Sequence, residues 1–234
     1  MNPFPCVGEF GFLELNLSRS PSYAKAVARL KSDSSLLHLD VGCCVGQDIR
    51  RLVVDGVPSS QIIGLELEQG FIDIGYSLFK DRGRLETKFL CADILNDIHT
   101  LSEFKGKVTS IHLGHVIHVF NRKEQKIVLG NLLGLLVNDG TGMLFGSLVG
   151  HDDGLTQPAM KGKMTLLHNL QTWKRMWKEV EEETGCKVKM WEEAKHLSAE
   201  ERYGSWLPKK RMMIAFEVTK LNTPKRLAII RAKL

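Results

Sequence analysis

Three residues behind a short apolar run, Asp40, Gly42 and Gly46, form a pattern suited to a nucleotide-like ligand. The apolar run covers residues 36–41, and a helical pattern over residues 47–55 begins directly after the second glycine. A strand, a glycine turn and a helix form the first crossover of nucleotide-binding α/β folds, in which unpaired N–H groups at the helix N-terminus face the ligand. A tight turn in another kind of α/β domain is the alternative explanation of this segment alone.

The spacing of these glycines excludes two common phosphate-binding loops. From Gly42 the order is G-C-C-V-G-Q, which lacks the second and third glycines of the dinucleotide fingerprint G-x-G-x-x-G. No Lys-Ser or Lys-Thr pair follows the turn, so a P-loop is excluded as well.

A second acid, Glu66, ends the apolar run 61–66. A carboxylate at the end of the second strand is suited to accept both hydroxyl groups of a ribose, and it would repel the 2′-phosphate of NADP. Glu68 is the alternative to Glu66 in this role. An exposed acid at a strand end is the alternative to a binding role for either residue.

Four histidines, three of them in or after the fourth apolar run, are candidates for acid-base chemistry. His112 lies within the run 108–113, His115 and His118 follow it, and His168 follows a long polar loop. Because histidine is the usual general base near neutral pH, we predict His115, His118 and His168 as catalytic residues. A packed or hydrogen-bonded histidine is the alternative for each. No metal site is predicted, because strand residues three apart point to opposite faces and cannot all aim at one ion.

The elements that must position these residues follow from the order of apolar runs. Helical patterns separate most of them, which predicts an α/β fold with a seven-stranded, mostly parallel sheet and helices on both faces. The last two strands lack a long crossover and are expected to pair antiparallel. The first helix is expected to open with Ser20 as N-cap and Pro21 at its first position. The predicted strands cover residues 36–41, 61–66, 87–92, 108–113, 141–149, 187–191 and 211–219.

Length, composition and charge indicate one globular domain. The chain has 234 residues, of which 43% are hydrophobic, and we assign residues 1–234 to a single domain with an N-terminal arm (1–18) and a basic C-terminal tail (221–234). The net charge of +5 is concentrated near the C-terminal end, so no nucleic-acid-binding face is predicted. No run reaches the roughly 20 apolar residues of a membrane span. Five cysteines without zinc-site spacing favour a reduced, cytoplasmic protein.

Four segments of the sequence resemble a known family of enzymes. The pattern Asp-x-Gly-x-x-x-Gly resembles motif I of class I S-adenosylmethionine (SAM) methyltransferases, which have a Rossmann-like fold. Over nearly the whole chain, the closest resemblance is to the small SAM-dependent methyltransferases of fungal meroterpenoid and related secondary-metabolite pathways. The four segments are Phe4-Pro-Cys with Phe12-Leu-Glu-Leu-Asn16, Asp40-Val-Gly-Cys-Cys-Val-Gly-Gln-Asp-Ile-Arg50, Phe71-Ile-Asp-Ile-Gly-Tyr with Phe79, and His168-Asn-Leu-Gln-Thr-Trp173 with Trp177.

The resemblance implies SAM as the cofactor and a small-molecule acceptor. It implies methylation of a carboxyl or hydroxyl oxygen on a bulky terpenoid or polyketide. We predict Phe12, Tyr23 and Trp173 as apolar walls for such an acceptor, and a place in the core is the alternative for Trp173. The family has a small polar pair at Gly114-His115 and an arginine at Ser147, so the chain departs from it beside the expected acceptor. The cofactor-binding residues implied are Asp40, Gly42, Cys43, Gly46, Glu66, Asp93, Ile94 and Gly114.

Other features of the activity are left open by the sequence. A methyltransferase-like enzyme that cyclises or rearranges a natural product is the second hypothesis, and a non-catalytic homologue is the third. The acceptor pocket is expected to form between the arm and the segment 150–168, because a long glycine-containing loop can close over a site. Neither the acceptor atom nor the oligomeric state follows from the sequence, and a homodimer is one state open to the chain.

Overall fold

Strands and helices alternate along most of the chain in the computed structural model, which describes residues 10–158, 163–197 and 210–222. The strands in these ranges are β1 Leu37–Val41, β2 Ile62–Glu66, β3 Lys88–Cys91, β4 Val108–Gly114, β5 Met143–His151, β6 Thr156–Pro158, β7 Met164–Leu166, β8 Val188–His196 and β9 Arg211–Lys220.

Helices connect most of these strands. The α-helices are α1 Tyr23–Ser32, α2 Gln47–Val54, α3 Gln69–Phe79, α4 Arg122–Leu135 and α5 Leu170–Thr184. Short 3₁₀ helices cover Gly11–Leu13, Leu17–Arg19, Ser59–Gln61, Ile98–Phe104 and Ile117–Val119. No helix in the described ranges is long and apolar enough to cross a bilayer.

One seven-stranded sheet has the order β3-β2-β1-β4-β5-β9-β8. Strands β1 to β5 pair in parallel, whereas β9 is antiparallel to both β5 and β8. The predicted seven-stranded, mostly parallel sheet is therefore confirmed. Strand order reverses between β1 and β4, and in open α/β sheets the crevice at that point is where ligands bind.

Each face of the sheet is covered by a separate hydrophobic core. On one face, Leu132 and Leu133 of α4 and Trp173 and Val180 of α5 pack against the strands. On the other face, residues of α1, α2 and the segment before α1 pack against Met143 and Phe145 of β5. Helices on both faces leave the carboxyl ends of β1 to β5 as the edge where a site can form.

Two local predictions are wrong. Helix α1 begins at Tyr23 rather than at Pro21, because Ser20 forms a turn in which its Oγ accepts the N–H of Ser22 (3.2 Å) and its carbonyl accepts the N–H of Tyr23 (3.0 Å). The predicted polar loop after β5 contains the antiparallel pair β6–β7. Residues 1–9 of the arm and most of the basic tail (223–234) lie outside the described residues.

Candidate active site

The glycine loop between β1 and α2 has little space around its backbone. Gly42 and Gly46 both have φ of +70°, a conformation that favours glycine. A Cβ at Gly42 would lie 2.5 Å from Cγ2 of Val116, and a Cβ at Gly75 of α3 would lie 2.2 Å from the carbonyl oxygen of Val45. Helix α3 and the residues after β4 therefore pack directly against the loop.

Hydrogen bonds hold the start of this loop to the neighbouring strand. The N–H groups of Gly42 and Cys43 both donate to the carbonyl oxygen of Leu65, at 2.8 and 3.0 Å. Cys43 is buried, and its burial together with the nearby Asp40 raises the pKa of its thiol well above the ordinary value. Cys43 therefore contributes its backbone and a neutral side chain to the loop.

Arg50 of α2 fixes the end of the loop. Its Nη1 donates to the carbonyl oxygens of Val45 (2.8 Å) and Gly46 (3.0 Å). Its Nε and Nη2 form a two-pronged ion pair with the carboxylate of Asp81, at 2.7 and 2.9 Å. Four hydrogen bonds from one guanidinium thus hold the loop against the segment after α3.

Glu66 presents a preformed carboxylate at the end of β2. Its Oε1 accepts the N–H groups of Leu67 (2.8 Å) and Glu68 (3.1 Å), and its Oε2 accepts the N–H of Cys44 (2.9 Å). Burial raises the pKa of Glu66, although the three N–H donors act in the opposite direction. Oε2 accepts a single N–H group, so it keeps a lone pair for a further donor.

The end of β3 lies beside this carboxylate. The carboxylate of Asp93 accepts the N–H of Leu95 (2.8 Å) and Nδ2 of Asn96 (2.7 Å), which closes the turn after the strand. The side chain of Ile94 is buried and packs in the core beside this turn. Leu67 is 54% exposed, and its carbonyl accepts a hydrogen bond from Sγ of Cys91 (3.4 Å). Leu67 is therefore the exposed apolar side chain at this edge.

Asp40 and His112 form a buried pair between β1 and β4. The two residues are register partners, and Nδ1 of His112 lies 2.7 Å from Oδ1 of Asp40. Burial alone would lower the pKa of His112, but the hydrogen bond and charge of Asp40 and the charge of Asp48 raise it. Asp48 of α2 is also buried, and burial together with the charge of Asp40 raises its pKa to about 7.

A cavity of about 650 Å³ opens beside this pair. Its floor contains Ser147, Ala215 and Glu193, which are register partners across β5, β9 and β8. His112 of β4 and His115, directly after this strand, also line the cavity. The opposite wall comes from the segment before α1 and contains Glu14, Asn16, Arg19, Ser20 and Pro21.

His115 and His118 differ in their access to this cavity. His115 has φ of +57°, and its N–H donates to the carbonyl oxygen of Ser147 (2.8 Å), which turns the chain toward the cavity. The ring of His118 lies 6.2 Å from that of His115, and its Nδ1 accepts the N–H of Val149 (3.3 Å). Burial is the main cause that lowers the pKa of His115 to about 4 and of His118 to about 3.

Sequence comparison identifies the relatives of the chain. No protein-family model matches it. It is 35% identical over 200 residues to the methyltransferase trt5 of Aspergillus terreus, covering 83% of this chain and 71% of the relative. The chain belongs to the SAM-dependent methyltransferases of fungal secondary metabolism. A second relative, the O-methyltransferase phiE of a fungal species, is 34% identical over 230 residues, covering 92% of this chain and 76% of the relative.

Solved structures show the same fold at low sequence identity. The [4+2]-cyclase SpnF gives a TM-score of 0.59 at 15% identity, covering 85% of this chain and 80% of that one. The 1,6-didemethyltoxoflavin-N1-methyltransferase of Burkholderia thailandensis, bound to its substrate and S-adenosylhomocysteine, gives 0.58 at 10% identity, covering 94% and 93%. The predicted class I methyltransferase fold is confirmed.

The residues at the strand ends of this methyltransferase fit SAM. Oε2 of Glu66 has the acceptor capacity for a ribose hydroxyl, and Leu67 offers an exposed apolar surface beside it. The space in front of Gly42 and Gly46 would be reduced by any side chain. Gly114 ends β4 next to the ring of His112, which lines the cavity. The sequence interpretation missed Leu67, although an apolar residue directly after a strand-end acid is a usable signal.

His168 and Trp173 do not line the cavity of this methyltransferase, which corrects their predicted roles. His168 is 1% exposed, and its Nε2 donates to Oε1 of Gln125 (2.8 Å), while its Nδ1 lies 3.0 Å from Oγ1 of Thr172. Trp173 is 0% exposed and packs edge-on against Phe216 with ring centroids 5.2 Å apart. Both residues belong to the core under α5 because the apolar stripe of this helix faces the sheet.

The predicted apolar walls also need correction. The hydroxyl of Tyr23 donates to the carboxylate of Asp55 (2.5 Å). Asp55 directly follows α2, so it lies at the end of this helix that is remote from the glycine loop. Tyr23 is therefore far from the predicted acceptor site. The side chain of Phe12 lies outside the described part of the chain. The wall is instead built by the more polar residues that follow it, from Glu14 to Pro21.

The segment 150–168 lies away from the cavity as far as its described residues show. Oγ1 of Thr165 donates to the carbonyl oxygen of His118, and the N–H of Leu166 donates to that of Phe120 (3.2 Å). These contacts attach β7 to the turn Ile117–Val119. Within residues 10–158, 163–197 and 210–222, no three side chains form a cluster suited to a metal ion.

Proposed function

We propose that this methyltransferase transfers a methyl group to an oxygen atom of a bulky apolar secondary metabolite, such as a terpenoid or meroterpenoid intermediate. The cavity of about 650 Å³, lined by residues of β4, β5, β8 and β9 and by the segment before α1, carries this proposal. Its position at the ends of β4 and β5 brings an acceptor to the side of the site not used by Glu66 and Asp93. The names of relatives such as O-methyltransferase phiE support an oxygen acceptor.

The chain would hold SAM through groups that are already in place. The carboxylate of Glu66 would accept ribose hydroxyls, Leu67 would cover the adenine, and the backbone around Gly42 and Gly114 would bind the amino-acid part. When bound, SAM supplies a methyl group on a positively charged sulfur, which is an excellent leaving group. The remaining task of the protein is to orient the acceptor and exclude water.

The walls of the cavity fit an acceptor with an apolar body and a polar edge. Met213 and Ala215 give an apolar part of the floor, while Glu193 and Lys195 lie at the side that belongs to β8. Apolar surfaces with a few polar groups are typical of small-molecule sites.

The four described cysteines that remain free thiols support the proposed cytoplasmic location.

Mass spectrometry of products tests this proposal. The enzyme is incubated with terpenoid acceptors in the presence and absence of SAM, and we expect a mass gain of one methyl group only with SAM. The Glu66→Ala variant serves as the control for transfer that depends on the cofactor site. A product with the mass of the substrate would contradict methyl transfer and support the cyclisation hypothesis instead.

A further inference from the structure

We infer that His112 is the general base of this methyltransferase, that Asp40 is its positioning residue, and that the acceptor is therefore a hydroxyl group. The inference rests on the proposed function, because it concerns the same cavity. His112 is only 4% exposed, yet it lines the cavity. Its Nδ1 faces Asp40 at 2.7 Å, so the other side of the ring is the side available to a substrate.

The tautomer of His112 follows from its partner. An ionised carboxylate only accepts hydrogen bonds, so Nδ1 must carry the hydrogen in the bond to Asp40. In the neutral ring, Nε2 then holds the lone pair. Within the described ranges Nε2 has no hydrogen-bond partner. Since Nε2 is not one of the fully buried polar atoms that lack a partner, it keeps some exposed surface, which is consistent with access to the cavity.

Gly114 keeps the reactive edge of the ring open. A Cβ at position 114 would lie 2.7 Å from Cε1 and 2.8 Å from Nε2 of His112. Any side chain there would press against the edge that carries the lone pair. The glycine at the end of β4 thus leaves space for an acceptor oxygen in front of Nε2.

The two neighbouring histidines are less suited to this task. Burial lowers the pKa of His115 to about 4 and of His118 to about 3, which makes both rings weak proton acceptors. No described carboxylate forms a hydrogen bond with either ring. Asp40 and Asp48, in contrast, favour a proton on His112. A base that gains a stabilised positive charge is the better catalyst.

The proposed step moves one proton and one methyl group. The O–H bond of the acceptor breaks, and its proton passes to Nε2 of His112, whose charge is then stabilised by Asp40. The acceptor oxygen forms a bond to the methyl carbon as the bond between that carbon and sulfur breaks. The products are a methyl ether, S-adenosylhomocysteine and a protonated His112, which returns its proton to water.

The decisive variant is His112→Asn. The amide of asparagine can still donate to Asp40 in the place of Nδ1, but it offers no base toward the cavity. The probes are three tricyclic diterpenoids with the abietane skeleton: ferruginol with a phenol, dehydroabietinol with an alcohol and dehydroabietic acid with a carboxylate. We expect the wild-type enzyme to methylate the phenol or the alcohol, and His112→Asn to lower that turnover roughly 10²–10⁴-fold. SAM affinity, measured by calorimetry, should change less than about threefold.

Controls separate a catalytic role from a structural one. The exposed His99 provides a matched His99→Asn variant, for which we expect wild-type turnover. Equal turnover in His112→Asn and the wild type would overturn the inference. Methylation of the carboxylate alone would also overturn it, while the proposed function would stand. Absence of any methylated product would count against the proposed function, and the following NMR measurement would then decide the inference.

Long-range ¹H–¹⁵N NMR of the histidine rings gives a readout without turnover. In the enzyme with S-adenosylhomocysteine we expect neutral His112 to carry its hydrogen on Nδ1, and the Asp40→Asn variant to lose this preference. A hydrogen on Nε2 in the wild type would overturn the inference. The titratable groups that face His112 are Asp40, Asp48, His38 and His115, so the NMR titration is read for all of them.

The pH dependence of turnover provides a further check. For the wild type, kcat should rise with pH as His112 loses its proton. In His112→Asn this limb should disappear, and turnover of ferruginol should instead increase with the fraction of free phenolate. An unchanged pH profile in the variant would contradict the role of His112.

Discussion

The N–H group of Cys44 donates a 2.9 Å hydrogen bond to the carboxylate of Glu66, which joins the glycine loop directly to the end of β2. Cys44 has φ of +52°, so the loop reaches this carboxylate in a conformation that is uncommon for residues other than glycine. The same carboxylate is the predicted ligand of the ribose. Cofactor binding and the shape of the loop are thus connected through one side chain.

Glu66→Ala should weaken SAM binding at least about tenfold, because hydrogen bonds to a charged group contribute about 1.5–3 kcal/mol each. Isothermal titration calorimetry measures this change, and circular dichroism checks that the fold persists. Glu68→Ala is the matched control, since Glu68 is exposed and contributes its N–H to Glu66 through the backbone. Unchanged affinity in Glu66→Ala together with a loss in Glu68→Ala would transfer the role to Glu68.

Arg50→Lys should lower the free energy of unfolding by about 2 kcal/mol and weaken SAM binding severalfold. A lysine cannot bond both oxygens of Asp81 and both loop carbonyls at once. Urea unfolding and calorimetry give the two quantities. Arg51→Lys on the same helix is the control, because its ion pair with Asp55 is largely exposed and worth little. Equal effects of the two substitutions would refute the role of Arg50 in the loop.

His168→Asn should destabilise the protein and leave the turnover of the folded enzyme unchanged. The substitution removes the donor to Oε1 of Gln125, and a buried acceptor without a partner costs about 1–3 kcal/mol. Turnover per folded molecule and the thermal midpoint are measured on the same samples. A loss of turnover at wild-type stability would instead restore the catalytic role predicted for His168.

Acidification should destabilise the protein between about pH 6.5 and 4. Burial lowers the folded-state pKa of His38, His115 and His168 to about 4 and of His118 to about 3, whereas an unfolded histidine titrates near about 6.5. In that window the unfolded chain binds protons that the folded chain does not, so stability falls with falling pH. Asp48, with a folded pKa of about 7, acts in the opposite direction.

Calorimetric unfolding tests this balance. At pH 5 the four histidines each take up a proton on unfolding, whereas Asp48 and Glu66, whose pKa values are raised by burial in the folded protein, release protons, so the net proton uptake should be positive. The slope of the free energy of unfolding against pH gives this net uptake directly. A flat curve between pH 7 and 5 would mean that these histidines are accessible to protons in the folded state.

EDTA should leave turnover unchanged. The described residues contain no group of three side chains that could hold a metal ion. Activity is compared before and after treatment and after readdition of Mg²⁺ or Zn²⁺. Activity that is lost with EDTA and recovered with a metal would contradict this prediction.

The sequence was sufficient for those features that depend on short segments. The strand, the glycine turn and the helix around Gly42 and Gly46 lie within one stretch, and the carboxylate at Glu66 directly ends a strand. The start of α1 was misplaced because the hydroxyl and carbonyl of Ser20 stabilise a turn that competes with the helix. Local patterns do not show which of two nearby serines, Ser20 or Ser22, immediately precedes the helix.

The features that the sequence did not predict depend on contacts between distant segments. Asp40 and His112 meet only because β1 and β4 are neighbours in register, and nothing in either segment specifies the other. His168 and Trp173 lie on a helix with an apolar stripe, and a stripe indicates burial but not whether it faces a core or a pocket. The choice among the histidines therefore required the order of the strands.

The residues predicted to bind the cofactor and the floor of the cavity lie on different strands of the sheet, which affects how this enzyme can change its substrate. The glycine loop follows β1, Glu66 ends β2 and Asp93 follows β3. The cavity floor formed by Ala215 and Glu193 belongs instead to β9 and β8, toward the other edge of the sheet. Under the proposed function, substitutions at the second edge should alter the accepted molecule without disturbing cofactor affinity. Natural divergence and laboratory evolution of new acceptor preferences should accordingly concentrate on the antiparallel strands.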